Sequence, residues 1–429
     1  MKRSFDQSFG HRQSAFQPFS RPQNVDRQIN TETLADDAAT VRPVMRTIAE
    51  RPLIRVVWPS VPDSHDSVPP QLPAGETSTG VANENSTQAL IAQKAGELRA
   101  AILADDREVI QLILHGPGAS EIAMVADAER KNALFHAIGK NDIFTQDLLL
   151  NLSSGSEMAM QKSKYGTLPL SRAAANGSLV SVVMLLGLSS AKEQIFASHE
   201  TKENIDGSNP LALAAAHGHE LTVRFLLGSP YARFLAMGSY RFGANALVLA
   251  TRQGHVGVVN ILLASPFAEK LANCKAKRGF NALMYAAQQG HTDVVKTLLV
   301  SPQADLLAKA SSARGVNALM VAASKGRAGV VKTLLNSIHG AALIQAKSVL
   351  GVNALMSAAH GGHKEVVQLL LDYGFVECQL APQGQSGGAL DIALADNHQE
   401  VANLLRRYGA VSSVSDAGSS SSANITSGQ

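Results

Sequence analysis

Between about residue 90 and residue 410 the apolar positions recur with a helical period, and the pattern restarts at a fixed interval. In the stretch from Asn281, residues Leu283, Ala286 and Ala287 fall at the spacing of one helix face. Beyond Gly290, His291 and Thr292, a second apolar set marks the inner face of another helix: Val294, Val295, Leu298 and Leu299. The pattern predicts two short helices joined by a tight turn. Asn281 stands where an N-cap belongs, because its side-chain oxygen can accept a backbone N–H of the first turn. Gly290 stands where the first helix should stop. The alanines of the first helix add no bulk, so the two helices can pack closely.

The same pattern begins nine times, at Gly96, Asn132, Leu168, Asn209, Asn245, Asn281, Asn317, Asn353 and Gly388. The starts from Asn209 to Asn353 are 36 residues apart. The step from Leu168 to Asn209 is longer by five, around residues 192–206. Gly166, Gly207, Gly243, Gly279, Gly315 and Gly351 each lie two residues before a start, which predicts a turn with positive φ there. One unit cannot bury both of its faces. Stacked units can, so the repetition itself makes the core continuous and predicts a solenoid. The end units carry more charge outside, with Asp105, Asp106, Arg107 and Glu108 in the first and Glu400, Arg406 and Arg407 in the last.

Three regions follow: a Ser/Gln/Pro-rich leader over 1–89 expected to be disordered, the repeat array over 90–410, and a Ser-rich tail over 411–429 expected to be disordered. Within the leader, residues 51–60 (RPLIRVVWPS, holding the single Trp58) form a short β-prone run. It reads either as an apolar patch in a disordered segment or as a strand that docks on a partner. The N-terminus has early positive charge but no apolar stretch behind it, so no secretory signal peptide is expected. Nor does any run of about 18 apolar residues occur, so no membrane span is expected. The triplet Asn424-Ile425-Thr426 fits a glycosylation pattern but carries no weight without a signal peptide.

The chain has 429 residues, 45% hydrophobic, but only 5% aromatic, so the core must be built mainly from Leu, Ala, Val and Met. A formal net charge of +3 does not by itself indicate a nucleic-acid binder. The two cysteines, Cys274 and Cys378, are too few and too far apart for a disulfide framework or thiolate metal site. This suits a reducing compartment, and a cytoplasmic place of work is expected.

Two units open with Pro in the second position: NPLALAAAHGH from Asn209 and LPLSRAAANGS from Leu168. The leucine, the alanines and a Gly-His turn, with His219, His255, His291 and His363, fit throughout. This pattern resembles ankyrin repeats, whose signature is T-P-L-H-x-A in a unit of about 33 residues. The resemblance implies an all-α dominated repeat solenoid, an ankyrin-like stack of about nine helix-turn-helix units with finger loops. There are departures. Asn replaces the signature Thr in most units, and Met284, Met320 and Met356 replace the signature His. The Thr–His hydrogen bonding of the family is therefore absent. The extra residues of each unit fall after the second helix, as in 265–279, so the fingers are expected to be longer or partly helical.

No residue set for chemistry emerges. His217 with His219, and His360 with His363, each include the Gly-His turn position and lack a carboxylate or Cys that would complete a metal site. Gly116–Pro117–Gly118 lacks the pattern of a phosphate loop. Hydrolase and protease motifs are absent. Neither catalysis nor a cofactor nor a metal is expected.

By resemblance, partners should lie on the concave side. The positions carried over are those one, three and four residues before each start and seven and eight after it. In the middle of the array these are Arg241, Phe242, Ala244, Arg252 and Gln253; Lys277, Arg278, Phe280, Gln288 and Gln289; and Ala313, Arg314, Val316, Ser324 and Lys325. Lys275, Lys309 and Lys347 lie in the same fingers. Six of the fifteen positions are Arg or Lys and none is acidic, in a chain whose charge is nearly balanced. The stripe is read either as a solvated edge or as a groove for an acidic or phosphorylated protein segment, with Phe242 and Phe280 as apolar anchors. The expected function is a non-catalytic interaction scaffold that works as a monomer. The leader resembles the export region of type III effectors, which would place that scaffold inside a host cell. A nucleic-acid or chromatin-associated binder is the alternative, though the stripe has few aromatics for stacking.

Overall fold

The computed structural model describes residues 81–197, 209–238, 243–374 and 388–412, which all fall in the second of two units of the chain, residues 61–429. The 51–60 run, residues 239–242 with Arg241 and Phe242, and most of the Ser-rich tail lie outside the described residues. Among the described residues there are 25 α-helices and no strand.

The unit from Asn281 has the two helices that its apolar periodicity predicts, Ala282–Gln289 and Thr292–Val300, and then a third, Ala304–Lys309. Leu283, Met284, Ala286 and Ala287 are fully buried on the first helix, and Val295 and Leu298 on the second. Each such Leu removed from water contributes roughly 1.5–3 kcal/mol. The third helix is where the added length of each unit goes. It recurs as Ala119–Met124, Gly155–Met160, Ala191–Ala197, Ala232–Met237, Ala268–Ala272, Ala304–Lys309 and Gly340–Gln345. A helix of five to seven residues is not stable alone. Here each one packs onto the second helix of its own unit and buries an adjacent pair such as Leu271 and Ala272, or Leu307 and Ala308.

Stacking follows from these faces. Each first helix packs on the first helix of the next unit, and each second helix on the next second helix, so one apolar cluster runs from Ala95 to Leu405. A serine closes the joint between second and third helices: the hydroxyls of Ser229, Ser265, Ser301 and Ser337 donate to the carbonyls of Leu226, Leu262, Leu298 and Leu334 at 2.6–2.8 Å. These bonds occupy carbonyls that a helix end would otherwise leave without a partner.

The first unit differs from its sequence reading. Its opening helix runs Val81–Ala104, so it takes in residues 81–89 and passes straight through Gly96. No Pro or cap interrupts it before Asp106, and a single interior Gly costs a helix only about 1 kcal/mol.

Candidate functional site

Two sets of hydrogen bonds fix where side chains can project. The first lies within each unit. Asn281 Oδ1 accepts the backbone N–H of Met284 at 2.9 Å, and its Nδ2 donates to the carbonyl of Leu307 at 2.7 Å. The start of the first helix is thus tied to the third helix. Asn245 does the same with Val248 and Leu271, Asn317 with Met320 and Leu343, and Asn209 with Leu235. All four asparagines are buried. Asn therefore supplies two bonds from one side chain, and the Met at the signature-His position is free to be core: Met284, Met320 and Met356 are at most 1% exposed.

The second set joins neighbouring units. His255 Nε2 donates to the carbonyl of Ala216, His291 to that of Arg252, His363 to that of Ser324 and His398 to that of His360, at 3.0–3.2 Å. Arg327 stands in for His in one joint, and its Nε donates to the carbonyl of Gln288. Each ring or guanidinium lies over the turn glycine of the preceding unit. Gly254 has φ +85° and Gly290 φ +91°, and a Cβ there would sit 2.9 Å from the His291 ring and 2.8 Å from Arg327 respectively. These glycines are needed twice over, for the left-handed backbone and for the contact. His219, which donates to Ala175, belongs to this set and not to a metal site. His217 faces it at 6.1 Å; burial, then His219, His255 and Arg172, hold its pKa below the ordinary imidazole value. Among the described residues no three His, Cys, Asp or Glu side chains cluster as metal ligands.

The fingers are held by one short bond pattern. Ser312 N–H donates to the carbonyl of Val316, Ser348 to that of Val352 and Ala276 to that of Phe280. Successive fingertips are linked as well, by Ala313 N–H to the Arg278 carbonyl and Val349 N–H to the Arg314 carbonyl. In the 312 finger the serine Oγ also accepts the N–H of Arg314 and of Val316. Ala276 has no such acceptor, and there the fingertip residue Arg278 takes φ +66°, a left-handed conformation that costs a non-glycine residue about 1–2 kcal/mol. Arg278 is exposed, and so is Lys277 beside it.

Between this finger and the neighbouring first helices lies a cavity of about 550 Å³. Arg252, Lys277 and Arg278 line its rim, Leu249, Phe280 and Tyr285 its floor, and Gln288 and Gln289 its far side, and no carboxylate faces it. Phe280 and Tyr285 meet edge to face at 5.6 Å. Burial raises the Tyr285 pKa, against the pull of Arg252 and Arg278, so the phenol stays protonated and can donate. Its hydroxyl makes no hydrogen bond among the described residues. Neither Arg252 nor Arg278 forms an ion pair there.

A protein-family comparison matches the model described as ankyrin repeats (three copies) at residues 187–271, 211–310, 267–343 and 319–416. These matches together span 187–416, more than half of the chain. The chain belongs to the ankyrin repeat family. No curated protein matches it. Ankyrin repeats are generally protein–protein interaction modules, and the family is typically non-catalytic.

Within this ankyrin array the residues carried over by position divide. Arg252, Lys277, Arg278, Phe280, Gln288 and Gln289 share the cavity. Gln253 is exposed beside Arg252 but does not line it. Arg314, Ser324 and Lys325 belong to the next unit along the same row. Lys275 is apart from the others: it lines a second cavity between third helices, with Asn273, Asp305 and Lys309, where a carboxylate is present. Tyr285 and Leu249 were missed, although each is four residues after its unit's start, on the same helix face as the carried-over positions seven and eight. No helix among the described residues is long and apolar enough to cross a membrane.

Proposed function

We propose that this ankyrin array is a non-catalytic interaction scaffold that takes an acidic or phosphorylated segment of a protein partner into the groove between the units of Asn245 and Asn281. One observation carries the reading: Arg252, Lys277 and Arg278 surround an apolar floor of Phe280 and Tyr285 with no carboxylate in the lining. Guanidinium groups pair with carboxylate or phosphate in a bidentate way, which adds geometry to charge. The Gln288 and Gln289 amides and the Tyr285 hydroxyl add neutral donors. Phe280 gives the segment something to pack on, as binding hot spots require.

The test is capture of partners by the full chain against a variant carrying Arg252→Glu, Arg278→Glu and Arg314→Glu. A protein partner lost on charge reversal, and kept after nuclease treatment, supports the reading. Retention by the variant moves the binding surface elsewhere. The nucleic-acid alternative has its own signature, a steep linear fall of log affinity with log salt and sensitivity to nuclease.

Within this reading the scaffold acts as a monomer inside a host cell, delivered there by the leader that precedes the Val81–Ala104 helix. The composition of that leader, rich in Ser, Gln and Pro, supports this. Secretion that persists after deletion of residues 1–80 would end it.

A further inference from the structure

The row of fingertips changes character along the array. The tips are Lys277–Arg278, then Ala313–Arg314, then Val349–Leu350. Tip-to-tip hydrogen bonds make them one continuous edge. The third of these tips is apolar and lies open: Val349 is 77% exposed and Leu350 71%. Turn tips ordinarily carry Gly, Asn, Asp or Ser, and nothing in the turn demands two branched apolar residues. The Ser348–Gly351 turn has the same backbone bonds as Ser312–Gly315, whose tip is Ala-Arg. An apolar pair exposed beside a polar row marks a contact surface.

We infer that the partner segment carries two features at a fixed spacing: an acidic or phosphorylated stretch, and an apolar residue about six positions away that seats on Val349 and Leu350. This deepens the proposed function and rests on it. The spacing comes from the stack. Packed helices are about 8–10 Å apart, so two units separate the Arg278 and Leu350 tips by roughly 16–20 Å. An extended chain covers about 3.3 Å per residue, and five or six residues span the gap. Charge sets the direction. The basic rim ends at Lys325; the matching position one unit on is held by Gly361 beside His360, and two units on by Asp396, which holds His360 at 2.7 Å. The acidic stretch therefore lies over Arg252, Arg278 and Arg314, and the apolar anchor lies toward the unit of Asn353. The occupant is an extended protein segment, because the hydrogen-bonded tips offer a line of contacts one unit apart.

The experiment is selection of a random peptide library on the full chain, run in parallel on the charge-reversal variant and on Val349→Ser/Leu350→Ser, a pair of open tip positions where folding is checked by circular dichroism. The wild-type chain should enrich acidic clusters with a Leu, Ile, Phe or Trp five to seven residues away. The tip variant should still enrich acidic clusters but lose the spaced anchor. A selected peptide should bind it about tenfold more weakly. Acidic clusters without a spaced anchor, or an anchor preference unchanged in the tip variant, would overturn this inference and leave the proposed function standing. Peptides with no acidic enrichment, or no peptides above background, would overturn both. Concentration-dependent dimerisation abolished by the tip substitutions would assign Val349 and Leu350 to a second copy of this chain and would likewise refute the two-part segment.

Discussion

The finger at Asp127–Lys131 and the finger at Ala276–Phe280 are the same device with opposite surfaces. In both, the first residue donates its N–H to the carbonyl of the fifth, and the fourth donates back to the first. In both, a buried Asn follows, capping a helix and holding a third-helix carbonyl: Asn132 on Met158, Asn281 on Leu307. The side chains then diverge. In the first finger Asp127 accepts the N–H of Glu129 and of Lys131 and meets His136 at 3.0 Å, while Glu129 reaches Lys164 of the next finger. Its two carboxylates are thus engaged by the turn and by the next finger, while Arg130 is exposed, as Arg278 is. In the second finger Ala276 accepts nothing through its side chain, and Arg278 is presented outward without an ion pair among the described residues. The backbone frame is thus separable from what it displays. The N-terminal finger uses a carboxylate to hold its own turn, and the central one has no carboxylate to offset its cations.

The largest effect should come from breaking what the two fingers share. Asn281→Ala and Asn132→Ala each remove a helix cap and strand a third-helix carbonyl, at about 3 kcal/mol in total. Urea melts should show similar losses for both, and a loss confined to one would deny the common frame. Next is the joint between units. Gly254→Ala forces a Cβ against the His291 ring and into a left-handed backbone, for about 2 kcal/mol. Adding His291→Ala should return the contact part of that loss but not the backbone part.

Acid should separate the fingers. Burial pushes the Asp127 carboxyl up, but hydrogen bonds from Lys131, His136 and Glu129 outweigh it and leave the pKa below the ordinary value. A lowered folded-state pKa means that this stabilisation is present at pH values above the ordinary carboxylate range and is lost as the pH falls through the lowered value. Asp127→Ser should cost about 1 kcal/mol at pH 7 and nothing at pH 2, read by melts at both. The 276 finger, with no carboxylate, should give no such difference. The smallest effect is at Arg278. Arg278→Gly relieves the left-handed strain and should raise stability by about 0.5–1 kcal/mol while weakening acidic partners. Unchanged affinity in that variant would remove Arg278 from the binding surface.

The frame was legible because it repeats. Asn281, Gly290, Leu283 and Leu298 each recur at one offset, and periodicity needs no long-range information. The third helix was only half legible. Residues 265–279 contain the Ala268, Leu271, Ala272 spacing, but five residues are too few for a period to stand out from a loop. The second bond of Asn281 was hidden because its acceptor is a backbone carbonyl 26 residues on, and a carbonyl leaves no mark in the sequence. At the candidate site, positions carried from the family found the cations, but Lys275 was grouped with them only because it lies in the same finger. A finger shortened by the third helix turns Lys275 to another cavity. Tyr285 and the apolar tip Val349–Leu350 carry no charge pattern and so drew no notice.

The joints between units also act as a ruler for how such a chain can grow. From His255 onward, to His291, Arg327 and His363, each reaches back 39 residues to a main-chain oxygen, which any sequence provides. Excise residues 281–316 and Arg327 would meet the carbonyl of Arg252, where His291 had been, while Asn317 would keep its own Leu343. Unequal crossing-over in steps of 36 codons would therefore be structurally silent. The length of the recognition edge, and the set of tips it displays, can change in whole-unit increments without any compensating mutation in the core.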